Sequence, residues 1–203
     1  MKDNTELLAA TRKILTDFDF GDFNFAKIAP KLDLTAAQLE QQFVNEEGLA
    51  SAILNFEQDN LEKLFDLFHS DDNNAIDIFI NVSRELDRHF EEISPGIQFV
   101  MRKYFPFQHQ QFIEKRMNFV FDKIKRNIEQ GINQGLYRPD LSTELVSRIY
   151  ISRLMDIHNP DYFPNSEISF ELLFNVMVDT FVRGICTEKG LQYFVSKKKE
   201  FNL

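Results

Sequence analysis

The stretch IAPKLDLTAAQLEQQFVNEEGL, residues 28–49, decides how this chain is read. Two short helical runs flank a break around Asp33. Thr35 followed by Gln38 has the spacing of a capping box, in which the hydroxyl takes the N–H three residues on and the Gln amide returns the bond, so the second helix opens at Thr35. Just upstream, Asn24 is placed to cap the helix that carries Ile28. Asp33 stands in the turn, and Asp accepts a left-handed backbone better than most residues. Ile28, Leu34, Leu39, Phe43 and Leu49 are the apolar anchors, while QLEQQ supplies a polar outer face. Pro30 conflicts with the pattern, because proline inside a regular helix removes a hydrogen bond and clashes with the preceding turn, at a cost of about 3 kcal/mol. The first helix is therefore expected to kink or to start later.

A short helix, a tight turn and a second helix is also the arrangement that lays a helix in the major groove of DNA. Binding to phosphates draws on Lys and Arg, and here the two signals part. Lys31 is the only cation within residues 28–49. Residues 1–50 hold five cations, Lys2, Arg12, Lys13, Lys27 and Lys31, against nine acids. The whole chain carries a formal charge of -9, opposite to the basic footprint of a nucleic-acid binder. Shape argues for DNA and charge argues against it.

Outward from this stretch the chain reads as all-α. Its 203 residues are 43% hydrophobic and 27% charged, the balance of a globular protein able to bury a sizeable core. Helical spacing predicts further helices at about 5–18, 46–69, 74–92, 95–104, 108–134 closing at Gly135, 142–157 and 167–186. With the two short ones this makes about nine. Phe170, Leu172, Leu173, Phe174, Val176, Met177, Val178, Phe181, Val182 and Ile185 cover more than one face of the last. Such a helix either lies at the centre of a domain or packs its own core on one side and a second subunit on the other. A single cysteine, Cys186, rules out an internal disulfide. The first residues lack the apolar core of a secretory signal, and no run reaches the length of a membrane span, so a cytoplasmic location is expected.

Three pieces, IAPKLDLTAAQLEQQFVNEEGL, GINQGLYRPDLSTE and TFVRGICTEKGLQYF, resemble the TetR family of bacterial transcriptional regulators, in a helix order that spans nearly the whole chain. The resemblance implies an N-terminal three-helix DNA-binding domain at 1–46, and a helical ligand-sensing and dimerisation domain at 47–203. It implies a homodimer held mainly by the last two long helices, with Phe170, Phe174, Met177, Val178 and Phe181 as candidate interface residues. It also implies double-stranded operator DNA and a small ligand as partners. This chain departs from the family at three places. Asp33 stands where the turn usually has glycine, Glu40 where an aromatic residue usually touches the DNA backbone, and Glu46 where a lysine usually meets a phosphate.

The candidate DNA readers are Thr35, Ala36, Gln38, Gln41 and Gln42, with Lys2, Arg12, Lys13, Lys27 and Lys31 for phosphates. Gln can pair bidentately with adenine, and Ala and Thr methyls can meet thymine methyls. The competing view is that these residues form only the polar face of an amphipathic helix. Twenty-two phenylalanines and no tryptophan are unusual. In FVMRKYFPFQHQQF, the residues Phe99, Tyr104, Phe105 and Phe112 beside His109 are candidates to line a pocket for an apolar or aromatic ligand, set against ordinary core packing.

His69, His89, His109 and His158 lack paired spacing, so neither a metal nor another cofactor is called for. Adjacent acids such as Glu91 and Glu92 diverge on a helix, and no nucleophile elbow or phosphate loop appears, so the chain is not read as an enzyme. Cys186 is expected to pack as a small hydrophobe, and Lys197, Lys198 and Lys199 to be solvated. Two functions fit these residues. One is a ligand-controlled operator-binding regulator. The other is a helical protein derived from such a regulator that has lost its operator and works by ligand sensing or protein contacts.

Overall fold

The structure, a computed structural model, describes residues 4–15, 23–68, 73–90, 95–157, 162–163 and 169–201, with the side chains at 87–90, 95, 96, 98 and 199–201 left aside. The described residues form ten helices: α1 (Asn4–Leu15), α2 (Phe25–Lys31), α3 (Ala36–Phe43), α4 (Glu46–Phe68), α5 (Ala75–Phe90), α6 (Pro95–Tyr104), α7 (Pro106–Asn133), α8 (Thr143–Asp156), α9 (Phe170–Ile185) and α10 (Glu188–Phe201). The all-α expectation holds. The end of the first expected helix, 16–18, and His69 and His158 lie outside the described residues, as does the side chain of His89. No described helix is long and apolar enough to cross a membrane.

Two compact units divide the chain. The first comprises 1–64 with 89–116, and the second 65–88 with 117–203. The core of the first gathers Leu7 and Leu15 of α1, Ile28 of α2, Leu39 and Phe43 of α3 and Leu49 and Ile53 of α4. Ile97, Val100 and Met101 of α6 and Phe112 of α7 complete it. Within it Arg12 Nε lies 2.6 Å from Glu57 Oε1, a largely buried ion pair joining α1 to α4.

In the second unit α9 supplies the centre. Phe181 stacks on Phe79 of α5 and meets Tyr150 of α8 at 4.7 Å between ring centroids. Polar side chains of α7 and of Gln134 just beyond it fasten the chain where α5 begins: Asn127 Nδ2 donates to the Ala75 carbonyl, Gln134 Oε1 accepts from the Ala75 N–H, and Gln130 Nε2 donates to the Asn73 carbonyl. The buried Tyr137 hydroxyl completes the set by donating to Asn127 Oδ1 at 3.2 Å. Its ring lies flat against α7 at Gly131, where any Cβ would collide with it. α7 then ends, as the sequence suggests, on a left-handed Gly135 with φ 68°.

The second and third pieces quoted above meet in space. Tyr137 and Cys186 form an antiparallel bridge, with the Arg138 N–H on the Ile185 carbonyl and the Thr187 N–H on the Leu136 carbonyl. This bridge launches α10, the helix missing from the expected nine. Thr187 caps it through the Gly190 N–H, and Phe194 buries its inner face. The tail lysines are correspondingly less solvated than expected: Lys198 pairs with Asp179 at 2.8 Å and Lys197 lies over the Tyr193 ring.

Candidate nucleic-acid interface

α2, α3 and the start of α4 build the candidate interface, and each junction follows from local chemistry. Asn24 Oδ1 accepts the Lys27 N–H and opens α2 at Phe25. The helix runs through Pro30, which sits exposed in its last turn, and ends one residue later. It closes in a Schellman arrangement, with the Leu34 N–H on the Ala29 carbonyl and the Asp33 N–H on the Pro30 carbonyl. The motif requires a left-handed residue, and Asp33 provides it at φ 59°. α3 then begins on the complete capping box: the Gln38 N–H donates to Thr35 Oγ1 and the Thr35 N–H to Gln38 Oε1.

Leu39 and Phe43 turn α3 inward. At 100° per residue Ala37 and Gln41 then lie opposite the buried stripe, and both are exposed. Gln38 and Glu40 flank them, also exposed, while Ala36, exposed in the first turn, lies nearer the buried stripe on a cleft shared with Asn24, Phe25 and Ala26. Gln42 is half-buried and its Nε2 donates to Asn4 Oδ1 of α1 at 2.9 Å, so it braces α3 against α1. Ala37 is absent from the residues picked out by sequence. The signal that finds it is the angular distance from Leu39 and Phe43.

The α3–α4 corner is strained. Val44 has φ 70° and ψ -51°, and the Asn45 N–H donates to the Phe43 carbonyl at 2.8 Å, which makes the rare positive-φ γ-turn on a β-branched residue. The Val44 side chain is 76% exposed. Gly48 admits the corner, since a Cβ there would meet the Phe43 carbonyl. Asn45 caps α4 through the Gly48 N–H. Next to it Glu46 reaches across, and its Oε1 accepts the Phe25 N–H at 3.1 Å, tying the first turn of α4 to the first turn of α2. The position that looked like a mere reversal of a phosphate contact therefore has a structural task.

Charge on this surface is mixed. Lys27 and Lys31 are exposed one turn apart on α2, while Asp33, Glu40 and Glu47 are exposed nearby. Arg12 drops out as a phosphate contact because Glu57 holds it in a largely buried pair.

The aromatic set divides. Phe105 packs edge-on against Phe23, and Phe112 belongs to the core. Phe99 is half-exposed beneath Lys103, whose ammonium also lies 4.7 Å from the Tyr104 ring centroid. His109 is half-buried, and burial followed by the charge of Arg102 pushes its pKa down. Tyr104 and Phe105 share the wall of an open cleft with Phe23, Asn45, Glu46 and Glu47.

Of the expected interface residues on α9, Phe174, Met177, Val178 and Phe181 are already buried inside this chain, and Phe170 stacks on Phe174. Leu172 and Val176 occupy the outer face of α9, and Leu145 and Ile149 that of α8, each at least half exposed. None of these four was among the interface candidates; for Leu172 and Val176 the reason is that α9 is apolar all round, and only packing shows which side faces inward.

No protein-family model matches the chain, and no curated protein sequence matches it. Solved structures do. A TetR-family transcriptional regulator from Rhodococcus sp. superposes with a TM-score of 0.67 over 91% of this chain and 98% of that one, at 13% identity. SmeT in its triclosan complex gives 0.71 over 91% and 92%, at 12% identity, and reduced NemR of E. coli gives 0.69 over 91% and 98%, at 15% identity. The fold is that of the TetR regulators. The Schellman turn on Asp33 and the capping box on Thr35 hold the short helix, turn and second helix of α2 and α3 together despite the acidic residues around them.

Proposed function

We propose that this chain is a homodimeric transcriptional regulator of the cytoplasm. It binds operator DNA through residues 1–46, and a small apolar ligand controls it through residues 47–203, as a repressor released by that ligand. The observation that carries the reading is α3 itself. Its inner side is fully anchored by Leu39 and Phe43, while its outer side presents Ala37 and Gln41 with no structural work to do. Such a face fits the major groove. Lys27 and Lys31 meet phosphates.

The dimer is assigned to the outer faces of α8 and α9, where Leu145 with Ile149 and Leu172 with Val176 form two apolar pairs at helical spacing. A two-fold interface uses the same patch on both copies, and a two-fold dimer suits an operator made of two half-sites in successive grooves. The triclosan complex of SmeT supports an apolar ligand for this fold. Phe99, Tyr104 and His109 retain surface for one, whereas Phe105 and Phe112 shape the wall from within.

Fluorescence anisotropy with duplexes from the chain's own promoter region, at two salt concentrations, tests the reading. Saturable binding that weakens with salt is expected. No saturable binding even at low salt would refute it in favour of a helical protein that has lost its operator.

A further inference from the structure

We infer that the operator half-site is A·T at its centre, that Gln41 is its one bidentate base reader, through adenine, and that Ala36 and Ala37 set the neighbouring thymines. This rests on the operator-binding reading above and specifies what is read.

The three glutamines of α3 look equivalent in sequence but have different work. Gln38 Oε1 accepts both the Thr35 N–H at 2.8 Å and the Thr35 hydroxyl at 3.1 Å, so its acceptor is spent on the capping box. Gln42 gives one of its two Nε2 N–H groups to Asn4 Oδ1, which turns its amide toward α1. A bidentate contact to adenine needs donor and acceptor of one amide together, to N7 and N6. Gln41 keeps both: it is exposed and engages no other described residue through its side chain. It also lies on the outermost line of the helix, one turn beyond Ala37.

What is missing points the same way. Guanine is read chiefly by Arg or Lys across O6 and N7, and residues 32–62 contain no Lys, Arg or His. Glu40, acceptor-only when ionised, repels the guanine acceptors and tolerates only amino groups, on adenine N6 or cytosine N4. The exposed methyls of Ala36 and Ala37 find an apolar partner in the major groove only at the thymine methyl.

Selection of the full-length protein against a randomised duplex pool at low salt, followed by anisotropy on the winners, tests this. Enrichment of half-sites with adjacent A·T pairs is expected, with G·C replacement at the Gln41-read pair weakening binding about tenfold or more. Gln41→Ala should erase preference at that one pair and leave the others, and Gln41→Arg should move it toward guanine. Both substitutions are on the exposed face, and unchanged circular dichroism confirms folding. Winners with G·C centres, or a Gln41→Ala protein that keeps the wild-type preference at every position, would overturn the inference while leaving operator binding standing. Failure to enrich any sequence would overturn both.

Discussion

Glu46 carries two opposed effects that one pair of substitutions separates. Its carboxylate holds the Phe25 N–H at 3.1 Å, and a hydrogen bond to a charged acceptor contributes about 1.5–3 kcal/mol when shielded, less at this half-buried position. Under the proposed operator-binding reading, the same charge stands beside a phosphate. At about 7 Å in water the repulsion from one phosphate is about 0.6 kcal/mol, or about threefold in affinity per subunit. Glu46→Gln keeps an oxygen acceptor and removes the charge. It should leave the melting temperature within about 2 °C and tighten DNA about threefold. Glu46→Ala removes both, so it should tighten DNA similarly while costing about 1 kcal/mol of stability. Glu46→Lys adds a cation but abandons α2, so its gain in affinity should come with a loss in thermal stability. The assay is anisotropy at two salt concentrations beside thermal unfolding. A Glu46→Gln protein of unchanged stability and unchanged affinity would refute the placement of Glu46 beside phosphate. A Glu46→Ala protein as stable as the parent would refute its anchoring role.

Asp33→Gly should stabilise the first unit by about 0.5–1 kcal/mol, because glycine takes φ 59° without the cost of a Cβ; chemical denaturation would show the midpoint rise. Ile149→Asp combined with Leu172→Asp should convert the dimer to monomer in sedimentation and weaken operator binding at least a hundredfold, and an unchanged dimer would place the interface elsewhere. Burial pushes the Cys186 thiol up from 9.0 to about 11, so the folded chain holds that proton longer than the unfolded one. The stability it contributes is fully present below pH 9 and is lost as pH rises toward 11. A melting temperature that falls across that interval, and falls less in Cys186→Ala, is the expected result, with slow native labelling by a thiol reagent at pH 8.

Where structure depends on neighbours within four residues, the sequence was a sufficient guide. The Thr35 and Asn24 caps, the left-handed Asp33 and the end of α7 at Gly135 all arise from local hydrogen bonds and backbone preference. α10 was missed because its lysine-rich end hides a narrow apolar stripe on Leu191 and Phe194, and because its cap depends on Leu136, fifty residues earlier. The site was less legible than the fold. Gln42 differs from Gln41 only through Asn4 of α1, Glu46 gains its task from Phe25, and Arg12 leaves the surface for Glu57. Each is a tertiary encounter between residues 21 or more positions apart, for which periodicity carries no signal.

The reading face without cations has a kinetic consequence. Electrostatic attraction speeds arrival at DNA and also lengthens the stay on every wrong sequence, since both act through phosphates common to all sites. As the operator reader proposed above, a chain of charge -9 with two lysines on α2 would arrive slowly and leave non-target DNA quickly. On that reading little of it would be sequestered along the chromosome, and a larger share would stay available to meet the proposed ligand. Discrimination then comes from the few contacts of α3, and occupancy of the operator follows protein concentration closely, which suits a switch set by abundance as much as by affinity.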